Sequence, residues 1–372
     1  MFESPPFWMY LIGFLLLLGP LVTVHEFGHY LVGRLFGVGA DVFSVGFGKE
    51  MAGFTDKRGT RWKLSALPLG GYVQFKGDMN PASIQDGVAH GSSSNEEFDG
   101  SFHKADLWKR TLIVFAGPAT NIIVAIAIFA GFAMFIGKPV ITPVVGAFSE
   151  VSAARDAGLQ INDRITAVNG RKIADFNEIV EEILPYPGRE LVLTVKRDTA
   201  VLNIPLTAAS IVRTDRFGNE GRVGQIGVAP ASAEFVPQGI GQSIGFAAEE
   251  CWRITRMMVT GLGQILSGER SVKELGGPIK IAKFSGEQLS LGALPFIGFA
   301  ALISINLAFI NLLPIPGLDG GHLAFYAVEA VRRKPLGQRS QEMAFRVGMG
   351  LVLVLMVFVT ANDLVSLPIF GG

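Results

Sequence analysis

The sequence predicts a polytopic α-helical membrane protein with about four transmembrane helices, membrane-associated β-hairpins and one inserted α+β domain. Charged residues make up 17% of the 372 residues and mean hydropathy is +0.41, whereas soluble domains carry roughly 25% charged residues. Four apolar segments each approach the ~20 residues that a helix needs to cross a bilayer. Between the second and third of them lies a run of short alternating strands around one amphipathic helix.

The first segment, 1–36, holds the uncharged run Phe7–Val24. Its leading MFESPPFW has no basic residue and no A-x-A site follows, so it reads as a retained span rather than a cleaved signal. Residues 37–110 follow as a β-hairpin region and a loop. Asp41–Lys76 is Gly-rich with alternating runs (VFSVGFG, TRWKLSALPLGGYVQF), in which Gly70-Gly71 permits a tight turn or close backbone approach. Lys76–Gly100 is polar and expected to be mobile, with His90 and His103 expected to be solvated. The second span covers 111–137, with Thr111–Ile136 uncharged throughout.

Residues 140–210 form the inserted domain. Strands are expected at 142–145, 163–168, 190–197 and 201–206, with turns at Asn169-Gly170 and Asp198-Thr199. A short helix at 150–157 ends at Gly158. A second, at 175–184, presents Phe176, Ile179, Val180 and Ile183 on one face with Asp175 as N-cap. Residues 211–293 read as a linker with surface or interfacial helices near 251–258 and 262–266, soluble helices packed on the inserted domain being the equal alternative. The third span lies in 294–330; a basic loop and the fourth span fill 331–372.

Lys and Arg concentrate in the 31–110 and 332–346 loops, which puts both on the cytoplasmic side. Both termini and the inserted domain then lie outside. Net charge is zero, which leaves no nucleic-acid footprint. The single cysteine, Cys251, excludes an internal disulfide framework and cysteine zinc fingers and reads as packing.

The chemistry concentrates at His25-Glu26-Phe27-Gly28-His29, where the first apolar run ends. On a helix the two histidines are i and i+4 and face one way, with Glu26 beside them, the spacing of zinc hydrolases. Ionisable groups at membrane depth are costly and usually functional. A catalytic zinc site needs a third protein ligand and one open position. The third span ends in NLLPIPGLDGGH, where prolines and glycines break the helix and Asp319 can turn back into the bundle. His322 is a rival ligand, and a capping role for Asp319 is the plainer alternative.

HEFGH on the first span and NLLPIPGLDG on the third resemble the site-2 protease family of intramembrane zinc metalloproteases, peptidase M50-type. The bacterial branch typified by the regulator-of-sigma-E protease is the nearest. GPATN (117–121) and the Gly70-Gly71-Tyr72 hairpin also resemble that branch, and AGLQINDRITAVNG (157–170) resembles a PDZ domain. The resemblance implies His25, His29 and Asp319 as Zn2+ ligands and Glu26 as catalytic base. It implies Asn311, and more weakly Asn306, near the substrate, with the hairpin around Gly70 and Gly71 as an edge for strand addition.

It further implies single-span membrane proteins such as anti-sigma factors or remnant signal peptides as substrates, peptide tails at the PDZ-like domain, and a bacterial inner-membrane location. Two features depart from the branch: one PDZ-like domain where two in tandem are usual, and Asn162-Asp163 where Gly-Asp is usual. Two other classes compete. One is a PDZ-containing membrane scaffold with a vestigial metal site; the other is an ion or metal transporter, against which the undoubled chain argues.

Overall fold

The computed structural model describes residues 5–77, 100–214, 220–268, 276–334 and 337–365. The polar segment 78–99, with His90, lies outside the described residues; His103 is exposed. The chain divides into two compact units, one of residues 1–129, 247–262 and 275–372, the other of 130–246 and 263–274.

The first unit begins with helix α1 (Phe7–Leu35), hairpin strands β1 (Ala40–Thr55) and β2 (Arg61–Phe75), and helix α2 (Leu107–Phe135) as far as residue 129. The long helix α5 (Ile240–Leu266) runs through both units. It is followed by α6 (Pro278–Ser290), α7 (Ala293–Leu312), α8 (Asp319–Arg332) and α9 (Gln338–Val365). Among the described residues α1, α2, α7 and residues 343–364 of α9 are long and apolar enough to cross a membrane. They fit a membrane protein that also carries β-sheet. Much of their apolar surface is exposed, as lipid-facing helices require: Leu11, Leu16, Ile123, Leu353 and Val354 are all open.

Small residues let the helices approach. Gly28 of α1 lies where a Cβ would stand 2.7 Å from Ala116 O of α2. Such close approach suits an apolar solvent, where packing rather than hydrophobic transfer joins helices. Cys251 is buried with Ile254, Ala125, Ala301 and Ile305, where it packs. Asp363, near the end of α9, is fully buried. Its carboxylate accepts the Gly277 and Lys280 backbone N–H groups at 3.1 Å, capping α6.

β1 and β2 form one long antiparallel hairpin that folds on itself. Residues 42–45 pair with 71–74 on one side and with 61–64 on the other. Gly70-Gly71 therefore make no turn; they lie within β2. A Cβ on Gly71 would collide with Ser44 O, so the expected close approach is the one realised. Tyr30, Phe43 and Trp62 pack edge-on and tilted beneath the sheet and tie it to α1.

The second unit is built on a four-stranded sheet in the order β6 (Arg171–Lys172), β5 (Arg164–Val168), β7 (Glu190–Arg197) and β8 (Ala200–Thr207). Helix α3 (Ala153–Asp156) is capped by Ser152 and α4 (Phe176–Ile183) by Asp175, whose side chain accepts Asn177 N–H. Phe176, Ile179 and Ile183 pack on Ile165, Leu193 and Val195.

Here the structure corrects the sequence reading. The segment read as linker contains β9 (Ala209–Thr214), β10 (Glu220–Gln225), β11 (Val228–Pro230) and β12 (Ala233–Val236). β11 pairs with β4 (Val145–Phe148) and β12 with β3 (Lys138–Ile141), closing the unit from both ends. The compact unit takes in 130–246 and 263–274, a wider range than 140–210. The helices expected at 251–258 and 262–266 are parts of the single helix α5.

Asp163 anchors this unit. It is buried, and its carboxylate accepts Arg197 Nε at 2.7 Å, Arg197 Nη2 at 2.6 Å and Gln160 N–H at 2.8 Å. The Arg197 hydrogen bonds hold its pKa below the usual aspartate value, against the opposing effect of burial. A lowered folded-state pKa contributes stability above the unfolded value of about 3.9, and that stability is lost as pH falls through the folded value. Hydrogen exchange of β5 amides in the full chain should thus show opening free energy falling below about pH 4. In Asp163→Ala that step should vanish, and the neutral-pH value should drop by about 1–3 kcal/mol. An unchanged pH dependence in the variant would refute the assignment.

Candidate metal centre

His25 and His29 lie on the buried side of α1, 5% and 7% exposed. Their i, i+4 spacing brings both Nε2 atoms to within 3.2 Å. The third group arrives from the break between α7 and α8. Leu313–Leu318 contains two prolines and Gly317 at φ +102°, a left-handed value that favours glycine. Gly320 and Gly321 then let α8 start directly against the end of α7. A Cβ on either would overlap backbone carbonyls there, those of Leu313 and Ile315 among them. Asp319, the first residue of α8, is thereby placed with Oδ2 3.1 Å from His25 Nε2 and Oδ1 3.6 Å from His29 Nε2.

The cluster is shaped to receive a cation. His25, His29 and Asp319 are the one set of three such groups found together among the described residues. Asp319 Oδ2 is buried without a hydrogen bond, despite its nearness to His25. Such an orphaned oxygen asks for an electrophile. Gly117 of α2 faces the same point: a Cβ there would overlap His29 Nε2 and stand 2.8 Å from His25 Nε2. Only glycine leaves that space open. A tetrahedral ion with ligands at 2.0–2.1 Å needs ligand atoms about 3.3 Å apart, which the three separations bracket.

The surroundings orient the two imidazoles. His29 Nδ1 lies 2.8 Å from Ile113 O, so Nδ1 carries the proton and Nε2 presents its lone pair. Asn121 Nδ2 lies 3.2 Å from His25 Nδ1, and Ser304 Oγ of α7 donates to Asn121 O at 2.8 Å. Glu26, half-buried beside the pair, accepts Val73 N–H of β2 on Oε2 at 3.2 Å.

Of the residues expected from sequence, His25, His29 and Asp319 therefore meet, with Glu26 adjoining. Gly70 and Gly71 sit in β2, just before the strand residues that reach Glu26. Asn306 and Asn311 are half-buried on α7, and no hydrogen bond joins them to the three ligand groups. His322 is turned elsewhere; its ring packs on Phe345 at 4.9 Å. Sequence reasoning gave no role to Gly117, Asn121 or Ile113. A glycine and an asparagine inside the uncharged GPATN run were the available signal, since polar groups in a span seek partners.

The chain is 44% identical over 362 residues to Atu1380 of Agrobacterium fabrum, designated a candidate zinc metalloprotease, covering 96% of each chain. It is 41% identical over 356 residues to R01501 of Rhizobium meliloti, with the same designation, covering 94% of this chain and 95% of that one. Against the metalloprotease MmpA of Caulobacter vibrioides, identity is 33% over 387 residues, covering 98% and 97%. The family model for peptidase family M50 matches residues 13–355, and the chain belongs to that family.

Proposed function

We propose that this protein is a zinc metalloprotease of the site-2 type, hydrolysing peptide bonds in or near the transmembrane segments of other membrane proteins. One observation carries the reading: the His25–His29–Asp319 cluster, with its orphaned Asp319 oxygen and the space kept by Gly117, adjoins Glu26 among apolar helices. The donor set of two imidazoles and a carboxylate suits zinc and leaves one position for water or substrate.

His25, His29 and Asp319 would hold the ion. Bound there, zinc supplies a Lewis acid that polarises the scissile carbonyl and acidifies a water. Glu26 is the base: Val73 N–H holds Oε2, and Oε1 takes the proton from the attacking water and returns it to the leaving amine. A helical substrate hides its carbonyls in its own hydrogen bonds, so the scissile segment must unwind. β2 offers it replacement partners along the edge of residues 71–74 that does not pair with β1, beside the Val73 N–H already held by Glu26. Glycine or proline in the substrate span lowers the cost of unwinding.

The finer reading follows the family resemblance. The second unit is a PDZ-like domain that takes peptide tails, and the protein is a single-PDZ member of the regulator-of-sigma-E branch, acting in regulated intramembrane proteolysis. Basic residues flanking the spans support an inner-membrane orientation with the metal centre towards the cytoplasm and the PDZ-like unit outside.

The test is cleavage of single-span model substrates by the zinc-loaded full chain in detergent. Cuts within the span, faster when it carries a Gly-Pro step, are expected. Cleavage of soluble peptides alone would remove the intramembrane assignment. Zinc binding with no cleavage of either would leave a scaffold or a transporter.

A further inference from the structure

We propose that Asn121 is a positioning residue for the metal centre: its side-chain oxygen accepts the proton on His25 Nδ1 and so leaves His25 Nε2 as a free lone pair. The inference rests on the zinc reading above and deepens it.

The two histidines face one point but are held differently. His29 Nδ1 has a backbone carbonyl, Ile113 O at 2.8 Å, as its only possible role-giver; a carbonyl accepts, so Nδ1 must donate. His25 Nδ1 faces an amide, which can donate or accept. With Nδ2 towards His25 at 3.2 Å, Nδ1 would accept and Nε2 would carry a hydrogen. That hydrogen would point into the space shared with His29 Nε2 at 3.2 Å and Asp319 Oδ2 at 3.1 Å, and would block ligation.

Asn121 itself shows the remedy. The residue is fully buried, and Oδ1 is without a hydrogen-bond partner. A side-chain amide turned end for end keeps its shape, and no hydrogen bond to Oδ1 is lost by the exchange. Oδ1 then accepts Nδ1–H, and both histidines present Nε2. Ser304 Oγ bonds the Asn121 main-chain oxygen from α7 and pins this turn of α2 whichever way the side chain lies. Ligands of this kind are commonly set by such an outer partner, whose loss costs about 10–100-fold in metal affinity.

Two substitutions distinguish an accepting from a donating role. Asparagine and aspartate have one shape, but aspartate can only accept. Zinc affinity is measured by chelator competition on the full chain in detergent, and the Co2+ ligand-field spectrum is recorded alongside. Asn121→Asp should bind zinc within a few-fold of wild type or tighter, with the wild-type Co2+ band. Asn121→Leu should bind about 10–100-fold more weakly.

If Asn121→Asp is weakened tenfold or more, or if Asn121→Leu binds as well as wild type, the positioning role falls while the metal centre stands. If wild type itself binds neither zinc nor Co2+, the zinc reading falls and this inference with it. Should Asn121→Leu fail to fold, the comparison of Asn121→Asp with wild type decides alone.

Discussion

Glu26→Gln is expected to lower peptide-bond cleavage by about 10²–10⁴-fold, the usual worth of a general acid–base group, with zinc content unchanged. The side chain keeps its length, and its amide oxygen can still accept the Val73 N–H that now reaches Oε2 at 3.2 Å. What it loses is the ability to take a proton. Glu26 is not among the three groups that converge, so removing its charge leaves the ion's ligands in place. Single-turnover cleavage of a model span, with zinc quantified in the same sample, separates the two effects. Cleavage at the wild-type rate would end the base assignment; loss of zinc together with activity would make Glu26 a determinant of the metal site instead.

Asp319→Ala is expected to cost more metal affinity than any outer partner, so at least about 100-fold, and to abolish cleavage at stoichiometric zinc. Two histidines alone do not close a catalytic site. Asp319 is the one anionic group of the cluster, and its position depends on a helix break whose glycines tolerate no side chain: a Cβ on Gly320 or Gly321 would strike the backbone of the preceding turn. The substitution spares that backbone, so the fold should survive. Chelator competition reads the affinity directly. Full affinity in Asp319→Ala with loss in His322→Ala would move the third ligand to His322, whose ring now packs on Phe345.

The local signals in this chain were strong where a single element holds them. Apolar runs near spanning length marked the four long apolar helices, and the i, i+4 histidines needed only the pitch of α1 to face one another. Asp175 acts as the cap at the helix start that the sequence predicts, because capping depends on two or three neighbouring residues. Asn169 and Gly170 both take positive φ in the turn that the dipeptide signalled.

Elements whose partners lie far away in sequence were not legible. β11 and β12 are three and four residues long, and they pair with strands 80–98 positions earlier. Nothing in VAP or AEFV carries that information; the pairing exists because the edges of β3 and β4 need hydrogen-bond partners. α8 begins DGG, a poor helix start by propensity, and forms because those glycines let it close on α7. The folding of β1–β2 upon itself, which keeps Gly70-Gly71 out of a turn, is likewise set by pairing on two sides.

The sequence by itself determined the apolar helices, the histidine pair with its glutamate, and the one carboxylate at a break in the third apolar helix. Only the tertiary structure decided that Asp319 closes the cluster, that Gly117 keeps its centre open and that Asn121 and Ile113 O stand behind the two imidazoles. The physical reason is the range of the forces. Helix pitch and capping act over a few residues, whereas a metal site is a coincidence of side chains hundreds of positions apart, made by packing small residues against backbone.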